Sequence, residues 1–192
     1  MHISEGVLKP EIIAPAAAVS GIYVAYLLYK LKANDIPKVA SMSALFFAAS
    51  FIHFPLGPSS IHLVLSGILG AILGKNAFLA IFIGLLLQAI FFAFGGIGVL
   101  GVNSIVIGLP AILGYFIIHT KLPKQLSFFL VGFVPIFVSS ILLSLVLVLN
   151  GKIFIDVAKL VFFANIGLVF IEGLISFVIL NFIYKVNKGL IK

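Results

Sequence analysis

Residues 126–149 read LSFFLVGFVPIFVSSILLSLVLVL, an apolar run that contains no charged side chain. A bilayer core is crossed by a helix of about 20 predominantly apolar residues, and a run of 18 or more is typical of such a helix. Residues 126–149 therefore predict a membrane-spanning helix. The rest of the chain has the same character, because 63% of the 192 residues are hydrophobic and only 9% are charged.

This composition excludes several classes of protein. A soluble domain is about half apolar and about a quarter charged, so a soluble enzyme or a disordered chain does not fit. With about 20 residues for each span, 192 residues leave no room for an ATPase or another soluble domain. We therefore expect one integral-membrane domain over residues 1–192.

Lysines and Pro/Gly clusters on both sides of residues 126–149 divide the chain into seven apolar segments. The predicted fold is thus an all-α, polytopic membrane helix bundle with seven transmembrane helices. The predicted spans are 12–31, 39–54, 60–74, 77–94, 102–119, 126–149 and 157–184. Ser66, Gly70 and Gly74 recur every four residues, which predicts close helix packing in lipid. Residues 1–10 lack the positive start of a signal peptide, so we expect the N-terminus to be retained.

Seven spans divide the lysines unequally between the two sides of the membrane. One side receives Lys30, Lys32, Lys38, Lys75, Lys121, Lys124, Lys185, Lys188 and Lys192, and the other receives Lys9, Lys152 and Lys159. The positive-inside rule then predicts an outer N-terminus and a cytoplasmic C-terminus, in a multi-pass protein of the cell inner (cytoplasmic) membrane. The net charge of +7 thus reports orientation. The scattered lysines do not indicate a nucleic-acid partner.

The chain contains no cysteine, so any metal must be bound through nitrogen or oxygen. His2 is the most informative candidate. The Met1 amine, the His2 amide nitrogen and the His2 Nδ1 can close adjacent five- and six-membered chelate rings on one ion. Such nearly coplanar nitrogens suit Ni(II) or Cu(II) and leave a fourth position open. A histidine at position 2 taken alone is also compatible with no role.

Several different short motifs follow one another along the chain. The start Met-His-Ile-Ser-Glu-Gly-Val-Leu is followed by Ile-His-Phe-Pro-Leu-Gly-Pro-Ser-Ser-Ile-His-Leu at residues 52–63. Gln88 precedes Phe-Gly-Gly at 94–96 and Leu-Gly-Val-Asn at 100–103, and Leu-Pro-Ala follows at 109–111. Ile-Glu-Gly-Leu-Ile occupies residues 171–175. In this order, the motifs resemble the CbiM/NikM family, the substrate-specific membrane components of energy-coupling-factor (ECF) transporters for cobalt and nickel.

The resemblance implies a function and a site. The chain would capture Co²⁺ or Ni²⁺ from outside for an ATP-driven importer, and the choice between the two ions stays open. Its N-terminus would enter the bundle, and the ligands would be the Met1 amine, the His2 amide and imidazole, and the His62 imidazole. Implied partners are an ECF transmembrane coupling subunit, cytoplasmic ATPase subunits and a small accessory membrane protein. No organic cofactor and no catalytic residue is expected.

Four further residues are expected to support these ligands. His53 departs from the family pattern, which has asparagine before Phe-Pro, and it could orient His62, join the metal transiently or serve structure. Asn103 would hold a ligand or the N-terminal loop by hydrogen bonds. Glu172, an acid inside the last span, needs a partner there and would balance the cation or stabilise the bundle. Glu5 would fix the loop near the site.

Two alternatives belong to other classes of protein. A membrane metalloenzyme would need a catalytic carboxylate beside an open metal position, and only Glu5 and Glu172 could serve. A self-sufficient cation channel or secondary transporter would need a continuous polar path or paired intramembrane acids. The sixth predicted span offers only serines and the fourth offers one glutamine.

Overall fold

The protein, a computed structural model, is described over residues 2–56, 59–187 and 189, without the side chains of residues 53–56 and 59–61. Helices dominate these residues, as predicted. They are α1 (Pro10–Lys30), α2 (Ile36–Ala49), α3 (Ser66–Leu73), α4 (Ala77–Phe92), α5 (Leu100–Ala111), α6 (Leu113–Ile118), α7 (Lys124–Asn150) and α8 (Ile155–Val186). Short 3₁₀ turns at Ala33–Asp35, Gly74–Asn76 and Lys152–Phe154 join consecutive helices.

A small sheet of three short strands accompanies the predicted helices. Strand β1 (His2–Ile3) pairs antiparallel with β3 (Ser59–His62), which also pairs antiparallel with β2 (His53–Leu56). Residues 53–54 and 60–62 were assigned to the ends of two spans and lie in these strands. The strands exchange main-chain hydrogen bonds, so these backbone groups need neither a helix nor water.

Five helical stretches in the described part of the chain are long and apolar enough to cross a bilayer. They are Pro10–Lys30, Ser66–Phe92, Leu100–Ile118, Lys124–Asn150 and Lys152–Val186. The protein is therefore a multi-pass membrane protein, but the predicted count of seven is not confirmed. At the second predicted span, α2 has only 14 residues and ends at Ala49, and the third predicted span begins as a helix only at Ser66. Gly74, at φ +56°, ends α3 before α4 begins.

Glycines allow the helices around the sheet to touch through their backbones. A Cβ built on Gly70 of α3 would overlap the carbonyl oxygen of Ala111 in α5, which confirms the close packing that the spacing predicts. A Cβ built on Gly132 of α7 would likewise overlap the carbonyl oxygen of Glu172 in α8. These contacts place α8 beside α7 and α3 beside α5. The segment between β3 and α3 lies next to these helices.

The bundle has two chemically different ends. Contacts join helix ends that lie near lysines at one end: Lys75 with Tyr26, Gly74 with Tyr115, Ser127 with Ile117, and Lys124 with Tyr184. The first residues of the chain lie at the other end, where Ile3 meets Asn103 near the start of α5. The candidate site is built at this second end.

Candidate metal centre

Two of the predicted ligands, His2 and His62, lie side by side in the interior. The sheet causes this, because β1 runs along β3 with His2 opposite Ser60. Only 4% of His2 and 2% of His62 are exposed. Their ring centroids are 5.1 Å apart and the ring planes are inclined by 40°. Phe94 packs against the His2 ring at a centroid distance of 6.4 Å.

The hydrogen bond of His62 determines which of its nitrogens carries the lone pair. Its Nδ1 lies 3.0 Å from the carbonyl oxygen of Leu63. A carbonyl oxygen can only accept, so Nδ1 carries the proton and Nε2 carries the lone pair. Main-chain carbonyls commonly orient metal-binding histidines in this way. His62 is thus prepared to act as an Nε2 donor.

Asn103 holds the chain beside His2. The main-chain N–H of Ile3 donates to its Oδ1 at 2.8 Å, and its Nδ2 donates to the carbonyl oxygen of Ile3 at 2.9 Å. Ile3 itself is 1% exposed. Both main-chain groups of a buried residue are therefore satisfied by one amide, which fixes the backbone immediately after His2.

Glu5 and a glycine loop close the site from the side. The main-chain N–H of Gly98 donates to Glu5 Oε1 at 3.2 Å. Gly95 and Gly96 have φ of +76° and +113°, a backbone conformation that favours glycine. A Cβ on Gly96 would overlap the Glu5 carboxylate, and one on Gly95 would lie 3.7 Å from His2 Nδ1. The loop can approach His2 this closely because it has no side chains there.

Glu172 makes its contacts with the main chain that follows His62. Val64 and Leu65 both donate their main-chain N–H groups to its carboxylate. The nitrogen of Leu65 lies 3.1 Å from each carboxylate oxygen. Glu172 is 1% exposed, and Leu65 has a φ of +54°, which is rare for a leucine. The carboxylate therefore stabilises an unusual turn between His62 and α3, and its described hydrogen bonds are to backbone amides.

Two predicted residues fall outside these observations. Met1 lies outside the described residues, and so does the side chain of His53, whose backbone pairs with His62 across β2 and β3. The roles predicted for both stay predictions. Among the described residues, no group of three or more His, Cys, Asp or Glu side chains could hold a metal ion. The described donors at the centre are the His2 and His62 imidazoles and nearby backbone groups.

Asn150 also contacts the N-terminal segment and was not selected from the sequence. It is 1% exposed and hydrogen-bonded to the chain near residues 7–9. An asparagine followed by glycine at the end of a helix is typical of a turn, which gave no reason to expect these partners. The available signal was an amide at the end of a long apolar helix.

Comparisons with known proteins identify what this architecture is. The family model described as CbiM, cobalt uptake substrate-specific transmembrane region, matches residues 2–190. A Haemophilus influenzae protein whose name proposes metal transport is 35% identical over 96% of this chain and 94% of its own length. The fused nickel transport protein NikMN of Rhodobacter capsulatus is 37% identical over 55% of this chain and 32% of that protein.

Solved structures agree with the family match. A crystal structure of a transition metal transporter superposes with a TM-score of 0.85 at 25% identity, over 98% of this chain and 95% of that one. A truncated transition metal transporter shows the same fold, with a TM-score of 0.82 over 96% of this chain and 99% of its own. The chain belongs to the CbiM family and is a transmembrane transporter component of that type.

Proposed function

We propose that this chain captures Co²⁺ or Ni²⁺ outside the cell for an ATP-driven ECF-type importer. The carrying observation is the buried pair His2 and His62, with ring centroids 5.1 Å apart at the place where the chain begins. Two imidazoles alone do not complete a transition-metal site. The Met1 amine and the His2 amide would supply two further nitrogens. Asn103 holds the next residue, Ile3, in place, and so restricts the main chain beside these nitrogens.

The proposed ligands are the Met1 amine, the His2 amide and Nδ1, and the His62 Nε2. With metal–nitrogen bonds of about 2 Å, two imidazoles on neighbouring corners of a square have centroids about 4.5 Å apart, and on opposite corners about 6 Å. The separation of 5.1 Å lies between these values. In the fused chelate, the His2 imidazole stands opposite the amine, so the His62 imidazole takes a neighbouring corner. A small inward shift of the rings completes the square.

The topology proposed from the lysines also agrees with this site. The contacts among the turns that contain Lys75 and Lys124 gather lysines at the end of the bundle away from His2. Under the positive-inside rule that end faces the cytoplasm and the metal centre opens outward, as capture from outside requires. We propose the inner (cytoplasmic) membrane as the location and retain seven spans, with α2 and α3 as the short ones.

Import against a gradient requires partners, because this chain carries no Walker-type nucleotide motif in its sequence. We propose a coupling membrane subunit, cytoplasmic ATPases and a small accessory membrane protein. The chain itself acts as a transporter subunit and performs no catalysis. Withdrawal of residues 1–6 would remove three of the four proposed ligands together, which gives a simple route to release. The family model names cobalt and the Rhodobacter relative names nickel, so the proposal includes both ions.

The N-terminal amine provides the sharpest test. The purified chain is prepared with a free or an acetylated N-terminus, with the site of acetylation verified by mass spectrometry, and each form is titrated with Co²⁺ and Ni²⁺. We expect the free form to bind with planar-type absorption bands for Ni²⁺ and the acetylated form to lose binding. Equal binding by the two forms would refute the ligand set. The two titrations also rank the two metals.

A second experiment separates the importer subunit from a channel. The purified chain alone is reconstituted into vesicles that contain a metal-sensitive dye. We expect binding at the membrane but no rapid flux, because the proposed subunit depends on ATPase partners for turnover. Rapid metal entry without any partner would overturn the subunit proposal in favour of a self-sufficient channel.

A further inference from the structure

The end of α7 holds the N-terminal segment at a second place, well beyond the metal centre. The main-chain N–H of Lys9 donates to Asn150 Oδ1 at 2.9 Å, and Asn150 Nδ2 donates to the carbonyl oxygen of Val7 at 2.9 Å. Asn150 is 1% exposed. Its amide therefore uses one donor and one acceptor on the main chain, independently of the side chains at positions 7 and 9.

This contact repeats the chemistry of Asn103, which binds both main-chain groups of Ile3 at 2.8 and 2.9 Å. The two amides come from different helices, α5 and α7, and they hold the segment on either side of residues 4–6. Next to them, Ile3 and Leu8 are buried, with 1% and 6% of their surface exposed. The segment is thus fixed at two points, one beside the proposed ligands and one before α1.

Between the two fixed points, Glu5 is bonded to the glycine loop through its main-chain N–H, which donates to the Gly95 carbonyl, and through its carboxylate, which accepts from Gly98. Gly6 is the loosely packed residue of this link. Glu5 and Gly6 are exposed, and Gly6 has a φ of +82°. A Cβ built on Gly6 would meet no atom within 4 Å, so packing does not hold this residue in place. A residue in the left-handed region without packing neighbours is suited to absorb a change in backbone direction.

We propose that Asn150 is a positioning residue: it fixes the pivot on which residues 1–6 swing, with Gly6 as the hinge. This inference rests on the proposed function, in which those residues carry three of the four metal ligands. Asn103 holds the arm in its closed position and must let go when the metal leaves. Asn150 stays bound and keeps the arm close to the site, so that the arm closes again readily.

A pivot role and a purely structural role for Asn150 predict different measurements. Loss of the pivot leaves all four ligands and their geometry unchanged in the bound state, but it lowers the fraction of time for which the arm is closed. Apparent affinity falls in proportion to that fraction. A purely structural role for Asn150 would instead lower the stability of the metal-free protein and leave the rates of metal exchange unaffected.

The test is the dissociation rate of Ni²⁺ into excess chelator, measured by stopped-flow absorbance on the full chain with a free N-terminus. For Asn150→Leu we expect the rate to rise about tenfold, the low end for loss of a group that supports a metal ligand. The absorption spectrum of the bound metal should match that of wild type. Asn150→Asp, which keeps the acceptor for Lys9, should lie between the two.

Asn165→Leu is the matched control, because Asn165 is equally buried at 1% and its Oδ1 has no hydrogen-bond partner among the described residues. It should leave the dissociation rate at the wild-type value. Gly6→Ala is a second variant that has room to fold, and its strained backbone should also speed dissociation. Wild-type rates in both Asn150→Leu and Gly6→Ala would overturn the inference. A wild-type chain that binds no metal would instead overturn the proposed function.

Discussion

The imidazole rings of His2 and His62 lie with their centroids 5.1 Å apart in the interior of the bundle. Strand β1 makes this pairing possible, because it lies antiparallel along β3, the strand that contains His62. Mutation can separate the residues near this pair that matter for metal binding from those that matter for the fold.

The first prediction concerns the second histidine. His62→Ala removes the proposed Nε2 donor and leaves the N-terminal chelate with an open fourth corner. We expect the affinity for Ni²⁺ and Co²⁺ to fall by more than about 100-fold, beyond the usual loss for a supporting group. Titration followed by absorbance or calorimetry measures this. The control is His119→Ala, because His119 is exposed and bonded to Tyr115. Unchanged affinity in His62→Ala would remove His62 from the site.

A second prediction tests the amide that holds Ile3. Asn103→Leu keeps the approximate volume but loses both hydrogen bonds to the main chain of Ile3. We expect metal affinity to fall by about 10–100-fold, because the ligands remain but are held less firmly. Asn165→Leu is the control, because it replaces a comparably buried asparagine that is not one of the proposed site residues. If Asn103→Leu binds metal as tightly as that control, Asn103 serves only the packing of the bundle.

The third prediction separates structure from metal contact at Glu172. Glu172→Gln keeps one acceptor oxygen but places an NH₂ donor against the main chain of Val64 and Leu65, where the second carboxylate oxygen accepted the N–H of Leu65 before. A buried unsatisfied pair of this kind costs about 1–3 kcal/mol, so the unfolding midpoint in detergent should fall. The exposed Glu11→Gln should leave it unchanged. A Glu172→Gln protein with wild-type stability and lost metal binding would show instead that the carboxylate acts on the ion.

A fourth prediction concerns the glycine loop. Gly96→Ala introduces a Cβ that overlaps the Glu5 carboxylate, at a φ of +113° that alanine tolerates poorly. We expect the loop to withdraw from the N-terminal segment and the metal dissociation rate to rise. Gly21→Ala, where a Cβ meets nothing within 4 Å, should behave as wild type. A wild-type dissociation rate in Gly96→Ala would mean that the loop does not hold the closed segment.

Much of the fold could be predicted because lipid imposes strong rules on sequence. The runs that became α1, α7 and α8 were placed within a few residues, since a spanning helix must be long and apolar. Residues 53–54 and 60–65 were misplaced. Apolar residues there read as the ends of two helices, while the pairing of β3 with β1 depends on residues far away in the chain. Local hydrophobicity carries no signal for such a long-range partner.

The site divides in the same way. His2, His62, Asn103, Glu5 and Glu172 were all selected from sequence, because polar groups are rare in this chain and motifs singled them out. Their contacts could not be derived from the sequence, and Asn150 was missed because a turn explained it locally. The assignment of the lone pair to His62 Nε2 follows only from the position of the Leu63 carbonyl.

The sequence by itself determined that this is a membrane protein, which residue types could bind a metal, and, through its motifs, the family. Those properties depend on composition and local order, which the bilayer and coordination chemistry constrain directly. Only the tertiary structure decided that His2 meets His62, that Glu172 stabilises the turn after His62, and that Asn103 and Asn150 hold the first residues. Such pairings join distant segments through helix packing and strand register, which no local pattern encodes.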